Sequence, residues 1–153
     1  MQVGHQVGLE DTAPNEKTRE VRLGLVMYGG VSLAIYINGV VQEFFNAVRG
    51  RGVYRLIKAL TDSDVVVDII SGTSAGGING ILLANALCAR KELAPTAMLW
   101  REHGGIQKML RAAYGDAALA TSLLNGEGYY QPKLEDAFKA LNEGPTLATP
   151  RSD

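Results

Sequence analysis

The 153-residue chain reads as an α/β domain with a mostly parallel sheet, and three observations lead there. Two apolar runs rich in strand-forming residues end in glycine-rich turns, an apolar stripe at helical spacing follows each turn, and no repeat of fixed period or low-complexity tract interrupts them. Strand, sharp turn and helix, twice over, place both turns at the carboxyl edge of the sheet, where folds of this class bind their ligands.

The first strand starts at Glu20: EVRLGLVM alternates, then becomes wholly apolar, and stops at Gly29-Gly30. Beyond that turn Leu33, Ile37, Val40, Val41, Phe44, Phe45 and Val48 predict a helix with one apolar face, ended by Arg49-Gly50-Arg51-Gly52. Val53, Leu56, Ile57 and Leu60 predict a second, shorter helix that stops in Thr61-Asp62-Ser63-Asp64. Val65 to Ile70, VVVDII, has the nearly continuous apolarity of a central strand covered on both faces. Ile78, Ile81, Leu82, Leu83, Ala86 and Leu87 then form the stripe of the helix that follows. Residues 95 to 112 predict helix broken or bent at Gly104-Gly105, Asp116 to Leu124 a further short helix, NGEGYY a turn, and Pro132 to Leu141 an amphipathic helix. Cys88, on the apolar helix after the second glycine turn, reads as a small core residue.

Hydrophobic residues at 46% and charged residues at 20% exclude a disordered body, and a net charge of -1 excludes the basic excess that neutralises nucleic-acid phosphates. One cysteine and two distant histidines, His5 and His103, supply neither a disulfide nor a Cys- or His-based metal site, so no metal is expected and a reducing compartment is allowed. Residues 1–19 read as a flexible tail without the basic start and apolar run of a secretion signal. Two uncharged windows, Leu23 to Gln42 and Ile69 to Ala89, are long enough to span a bilayer, yet both are broken by glycine, serine and asparagine and read as two elements joined by a turn.

Gly72-Thr73-Ser74-Ala75-Gly76 matches GxSxG between a β-branched strand and an apolar helix, the context in which that motif makes a nucleophile elbow. Small residues are needed there because the turn brings strand and helix backbones together, and the helix start aims N–H groups at charge forming on the serine oxygen. A serine at this place also serves as an ordinary N-cap. A phosphate loop is the other alternative, but Ile78 and Asn79 stand where its Lys and Ser or Thr belong. The N–H groups of Gly29, Gly30 and Val31, at the end of the first strand, suit an oxyanion hole or belong to a plain tight turn.

LVMYGGVSLAIYINGV, DIISGTSAGGINGILLA and, more weakly, SLLNGEGYYQPKLEDAF carry a resemblance to the patatin-like phospholipases over about Glu20 to Leu141. The resemblance implies an α/β/α sandwich, with residues 20–153 as the N-terminal portion of the domain, incomplete at the C-terminus. It implies a Ser-Asp dyad that cleaves lipid acyl esters without histidine. Carried over residue by residue, Ser74 is the nucleophile, Gly29, Gly30 and Val31 are the oxyanion region, and Gly72, Thr73, Ala75 and Gly76 complete the elbow. A lipid or acyl-ester substrate, peripheral membrane contact and a cytoplasmic location follow as expectations.

The chain departs from the family twice. No arginine or lysine follows the glycines in Gly30-Val31-Ser32-Leu33-Ala34, which leaves only backbone donors at those positions. No aspartate is followed by glycine as in the family's Asp-Gly-Gly or Asp-Gly-Ala motif. Asp68 reads as a strand residue facing a polar edge and Asp116 as a helix cap, so the dyad aspartate is expected beyond residue 153 and these residues alone are expected to be inactive. His103 reads as a loop or helix-end residue, and Trp100, Tyr129 and Tyr130 as packing aromatics that also suit an acyl pocket. The alternatives in function are an acyltransferase using the same serine and a non-catalytic lipid-binding module.

Overall fold

A computed structural model describes residues 19–111 and 122–148. Residues 1–18 of the expected tail, Asp116 and most of the expected helix over Asp116 to Leu124 lie outside them, while Arg19, placed in the tail by the sequence, opens the first strand. Strand β1 (Arg19–Met27) and strand β2 (Ser63–Gly72) pair in parallel from Arg19 against Ser63 to Met27 against Gly72. The register breaks once, between Leu23 and Gly24, where Asp68 is the extra residue on β2. Parallel neighbours need a long crossover, supplied here by helices α1 (Ala34–Val48) and α2 (Val53–Thr61). Helix α3 (Ala75–Cys88) leaves the end of β2 directly.

Leu25 of β1 is buried with Leu23 and Met27 beside it, and the core continues through Ile37, Val41 and Phe45 of α1 and Leu82, Leu83 and Ala86 of α3. The spacing of these buried positions is the predicted helical one, with Ala34 and Asn38 completing the α1 stripe. On the far side of α1 and α3 the chain forms a short 3-10 turn, Ala94–Thr96, then helix α4 (Ala97–His103) and helix α5 (Ile106–Met109). The break between α4 and α5 falls at Gly104-Gly105, as predicted. Leu110 bridges Leu124 in antiparallel fashion, and a π-type turn at Gly126–Tyr130 leads into helix α6 (Gln131–Glu143), whose Leu141 is buried in the same core.

Two expectations are corrected. The continuous apolarity of β2 predicts cover on both faces, but among the described residues helices cover one face only, and Val26 and Ile69 on the other are 66% and 68% exposed. Helix α2 forms where its stripe predicts it, with none of its residues buried. Cys88 is exposed, because it lies two turns on from the exposed Ile81 rather than on the face of α3 that carries Leu82, Leu83 and Ala86. Asp68 does point to a polar edge, pairing with Arg22 at 3.1 Å. The segment Val31–Val48 is long and apolar enough to cross a membrane by length and composition; five residues of its α1 part are buried in the core.

Candidate active site

β2 runs into the elbow without a loop: Thr73 and Ser74 alone separate its last residue from α3. Ser74 is held at φ 50° and ψ -127°, a backbone region that costs an L-residue on the order of 1–3 kcal/mol. The turn is fixed by Gly76 and Gly77 N–H groups donating to the Thr73 carbonyl at 2.9 and 3.2 Å. Ser74 occupies the N-cap position, but its hydroxyl makes no capping hydrogen bond, and the residue is exposed. The capping alternative therefore does not describe this serine.

The glycines around it hold two turns in backbone contact. A Cβ on Gly72 would lie 2.6 Å from the Gly76 carbonyl carbon, and one on Gly76 would lie 2.2 Å from the Met27 carbonyl oxygen. On the first turn, a Cβ on Gly29 would meet the Thr73 carbonyl oxygen at 2.2 Å and the Ser74 Cβ at 2.6 Å. Thr73 links the turns in both directions: its N–H donates to the Met27 carbonyl at 3.1 Å, and its Oγ1 accepts from the Gly29 N–H at 3.2 Å. That last bond occupies one of the three expected oxyanion donors. Gly29 serves the close approach of the two turns, whereas the N–H groups of Gly30 and Val31 have no partner among the described residues. A short 3-10 turn, Val31–Leu33, closed by Leu33 N–H on the Gly30 carbonyl, leads from them into α1.

Val31 and Ser74 open onto one cavity of about 130 Å³ with mostly apolar walls, formed by Ala75, Ile78, Trp100, Met109, Leu124 and Tyr130. An apolar hole of about 150 Å³ stays dry and accepts a benzene-sized molecule, so this one suits the end of an acyl chain. Asn125 and Gly126 complete the rim, with Asn125 Oδ1 accepting from the Gly128 N–H at 3.0 Å. Burial pushes the Tyr130 phenol up to about 12, so at neutral pH it is a hydrogen-bond donor and no base. The aromatic reading thus divides: Trp100 and Tyr130 line the cavity, their rings 6.2 Å apart, while Tyr129 turns to His103 Nδ1 at 3.3 Å. His103 lies in a separate hollow with Lys133 and Asp136, away from Ser74.

No carboxylate lines the Ser74 cavity among the described residues. Asp64 pairs with Lys58, Asp68 with Arg22 and Asp136 with Lys133. Asp11, Asp116 and Asp153 lie outside the described residues.

A buried polar network beneath the elbow went unread in the sequence. Asn79, one turn into α3 and fully buried, donates through Nδ2 to the carbonyls of Ala75 (3.0 Å) and Ala34 (3.3 Å). Its Oδ1 accepts from Asn38 Nδ2 and from Trp100 Nε1, each at 2.9 Å. All four hydrogen-bonding positions of the amide are used, and they tie α3 to α1 and to the cavity wall. The signal was a lone asparagine inside each of two apolar stripes. Asn79→Leu keeps the branched shape but leaves the Trp100 N–H without an acceptor and Asn38 Nδ2 with only the longer bond to Thr96 Oγ1 at 3.4 Å, so it should lower the unfolding free energy by about 3 kcal/mol or more. Urea unfolding followed by Trp100 fluorescence checks this.

The family model for patatin-like phospholipases matches residues 25–151. A protein of Mycobacterium tuberculosis described as an uncharacterized membrane protein is 33% identical over an alignment that covers 61% of this chain and 11% of that protein. The chain thus spans about a tenth of that relative's length. No solved structure matches it significantly.

Proposed function

The chain belongs to the patatin-like phospholipase family, whose members are in general lipid acyl hydrolases, and from that premise we propose that it carries the nucleophile and oxyanion site of a serine hydrolase of lipid acyl esters. The observation that carries this reading is the free, uncapped Ser74 hydroxyl on a strained elbow, facing with Val31 into an apolar cavity. Ser74 Oγ attacks the ester carbonyl carbon, and its proton passes to the carboxylate of the family's dyad aspartate. The carbonyl oxygen gathers negative charge and is held by the Gly30 and Val31 N–H groups and by the positive end of α3. The alcohol departs with the proton, and water then hydrolyses the acyl-enzyme. The acyl chain enters beside Ile78 and Tyr130. No step uses a cofactor, and the domain meets its substrate by peripheral contact with a membrane.

The test is reaction of the full-length protein with a fluorophosphonate probe, followed by intact mass and peptide sequencing. One adduct on the Ser74 peptide is expected. Absence of any adduct would remove the hydrolase reading and favour a lipid-binding module, the role for which the missing carboxylate at the cavity would be the reason.

A further inference from the structure

A second hollow, of about 520 Å³, opens beside the Ser74 cavity, and the two share Val31 and Trp100 in their walls. Its other sides come from Ser32 on the first turn, Arg101 on α4 and the Gly104-Gly105 break. A substrate bound with its ester between Ser74 and the Val31 N–H, and its acyl chain in the apolar cavity, has this hollow available for the part joined through the ester oxygen.

The lining is electrostatically one-sided. Arg101 is its sole charged residue and makes no ion pair among the described residues, although carboxylates pair with Arg22, Arg51, Lys58, Lys133 and Lys139 elsewhere. Ser32 is exposed and adds a hydroxyl donor. Among the described residues no acidic group lines it to receive a cation. Arg101 follows Trp100, whose indole is bonded to Asn79, so the network under the elbow also sets where α4 presents this guanidinium. A planar guanidinium with five N–H donors is the side chain best suited to a phosphate.

We propose, on the reading of Ser74 as nucleophile, that the hollow between Ser32 and Arg101 is a headgroup subsite for the phosphodiester of a net-anionic lipid, and that Arg101 sets a preference for such headgroups over zwitterionic ones. Arg101 takes up, from a different element, a role that no side chain in Gly30-Val31-Ser32-Leu33-Ala34 can fill. A phosphocholine or phosphoethanolamine brings a cation for which the hollow has no carboxylate, whereas a phosphoglycerol brings only hydroxyls.

The experiment compares short-chain phosphatidylglycerol and phosphatidylcholine, matched in acyl chain and kept monomeric, as substrates of the full-length wild-type, Arg101→Gln and Arg101→Lys proteins. The glycerol lipid should be favoured in kcat/KM by wild type about ten- to hundredfold, chiefly through KM, with Gln collapsing the ratio and Lys retaining part of it. A second readout needs no turnover: glycerophosphoglycerol should slow fluorophosphonate labelling of Ser74 in wild type more than glycerophosphocholine does, and lose that effect in Arg101→Gln. Equal rates on the two lipids, or a ratio that survives Arg101→Gln, would overturn the subsite. Equal protection by inorganic phosphate would overturn its assignment to a lipid headgroup. Failure of the underlying reading shows separately, as hydrolysis that persists in Ser74→Ala.

Discussion

Ser74→Ala in the full-length protein should lower ester hydrolysis by about 10³-fold or more, since removing a nucleophile removes the covalent route and leaves only binding and oxyanion stabilisation. The companion change Ser74→Gly should be equally inactive but more stable than wild type. At φ 50° and ψ -127° a serine is held in a region that glycine enters freely. Relief of the order of 1–3 kcal/mol of strain is partly offset by the greater freedom of glycine in the unfolded chain, which leaves a net gain of about 1 kcal/mol. Thermal unfolding and an ester assay on the same preparations give both values. A Ser74→Gly protein that is inactive and less stable would mean that the elbow stores no strain.

Gly76→Ala should be, with Gly29→Ala, among the most damaging single-methyl changes at the described residues. The new Cβ would sit 2.2 Å from the Met27 carbonyl oxygen and 2.8 Å from its carbon, both backbone atoms. Strand and helix would have to part by about 1 Å to reach ordinary contact, which breaks the Thr73 bond to that same carbonyl. A loss of about 3 kcal/mol or more is expected, despite the better helix propensity of alanine. Gly39→Ala is the control. Gly39 lies in α1, is exposed, and has nothing within 4 Å of a built Cβ, so alanine there should stabilise by about 0.5–1 kcal/mol. Equal effects in urea unfolding would show that the two glycine turns do not interlock.

These contrasts mark what the sequence could carry. Both strand-turn-helix units, the break at Gly104-Gly105 and the helix after Pro132 were readable, because glycine and proline punctuate the chain locally and apolar spacing records which side of a helix is buried. GxSxG identified Ser74, and the glycines beside it identified the place where backbones meet. The pairing of the Gly29 N–H with Thr73 Oγ1 was not readable, since residues 44 apart in the chain leave no joint pattern. In the sequence Asn79 stands out as the wrong residue for a phosphate loop, yet an amide in an apolar stripe is itself a sign of a buried network. Arg101 resembled any charged residue on a short helix until the fold set it beside Ser32. The apolar run of β2 and the stripe of α2 record that these faces suit cover; they say nothing of which segment provides it.

The extra residue at Asp68 decides the phase of the elbow. Val67 packs toward the core, and plain alternation from it would send Ile69 and Ser71 inward; instead Ile69 is exposed and Ile70 packs inward. Parity changes once, at the bulge, and Gly72 thereby faces the Gly76 backbone that it must almost touch. An insertion or deletion of one residue in this strand would therefore change more than its length. It would exchange inward and outward positions at the mouth of the turn, so the spacing from Val67 to Ser74 is as much part of the address of the proposed nucleophile as GxSxG itself.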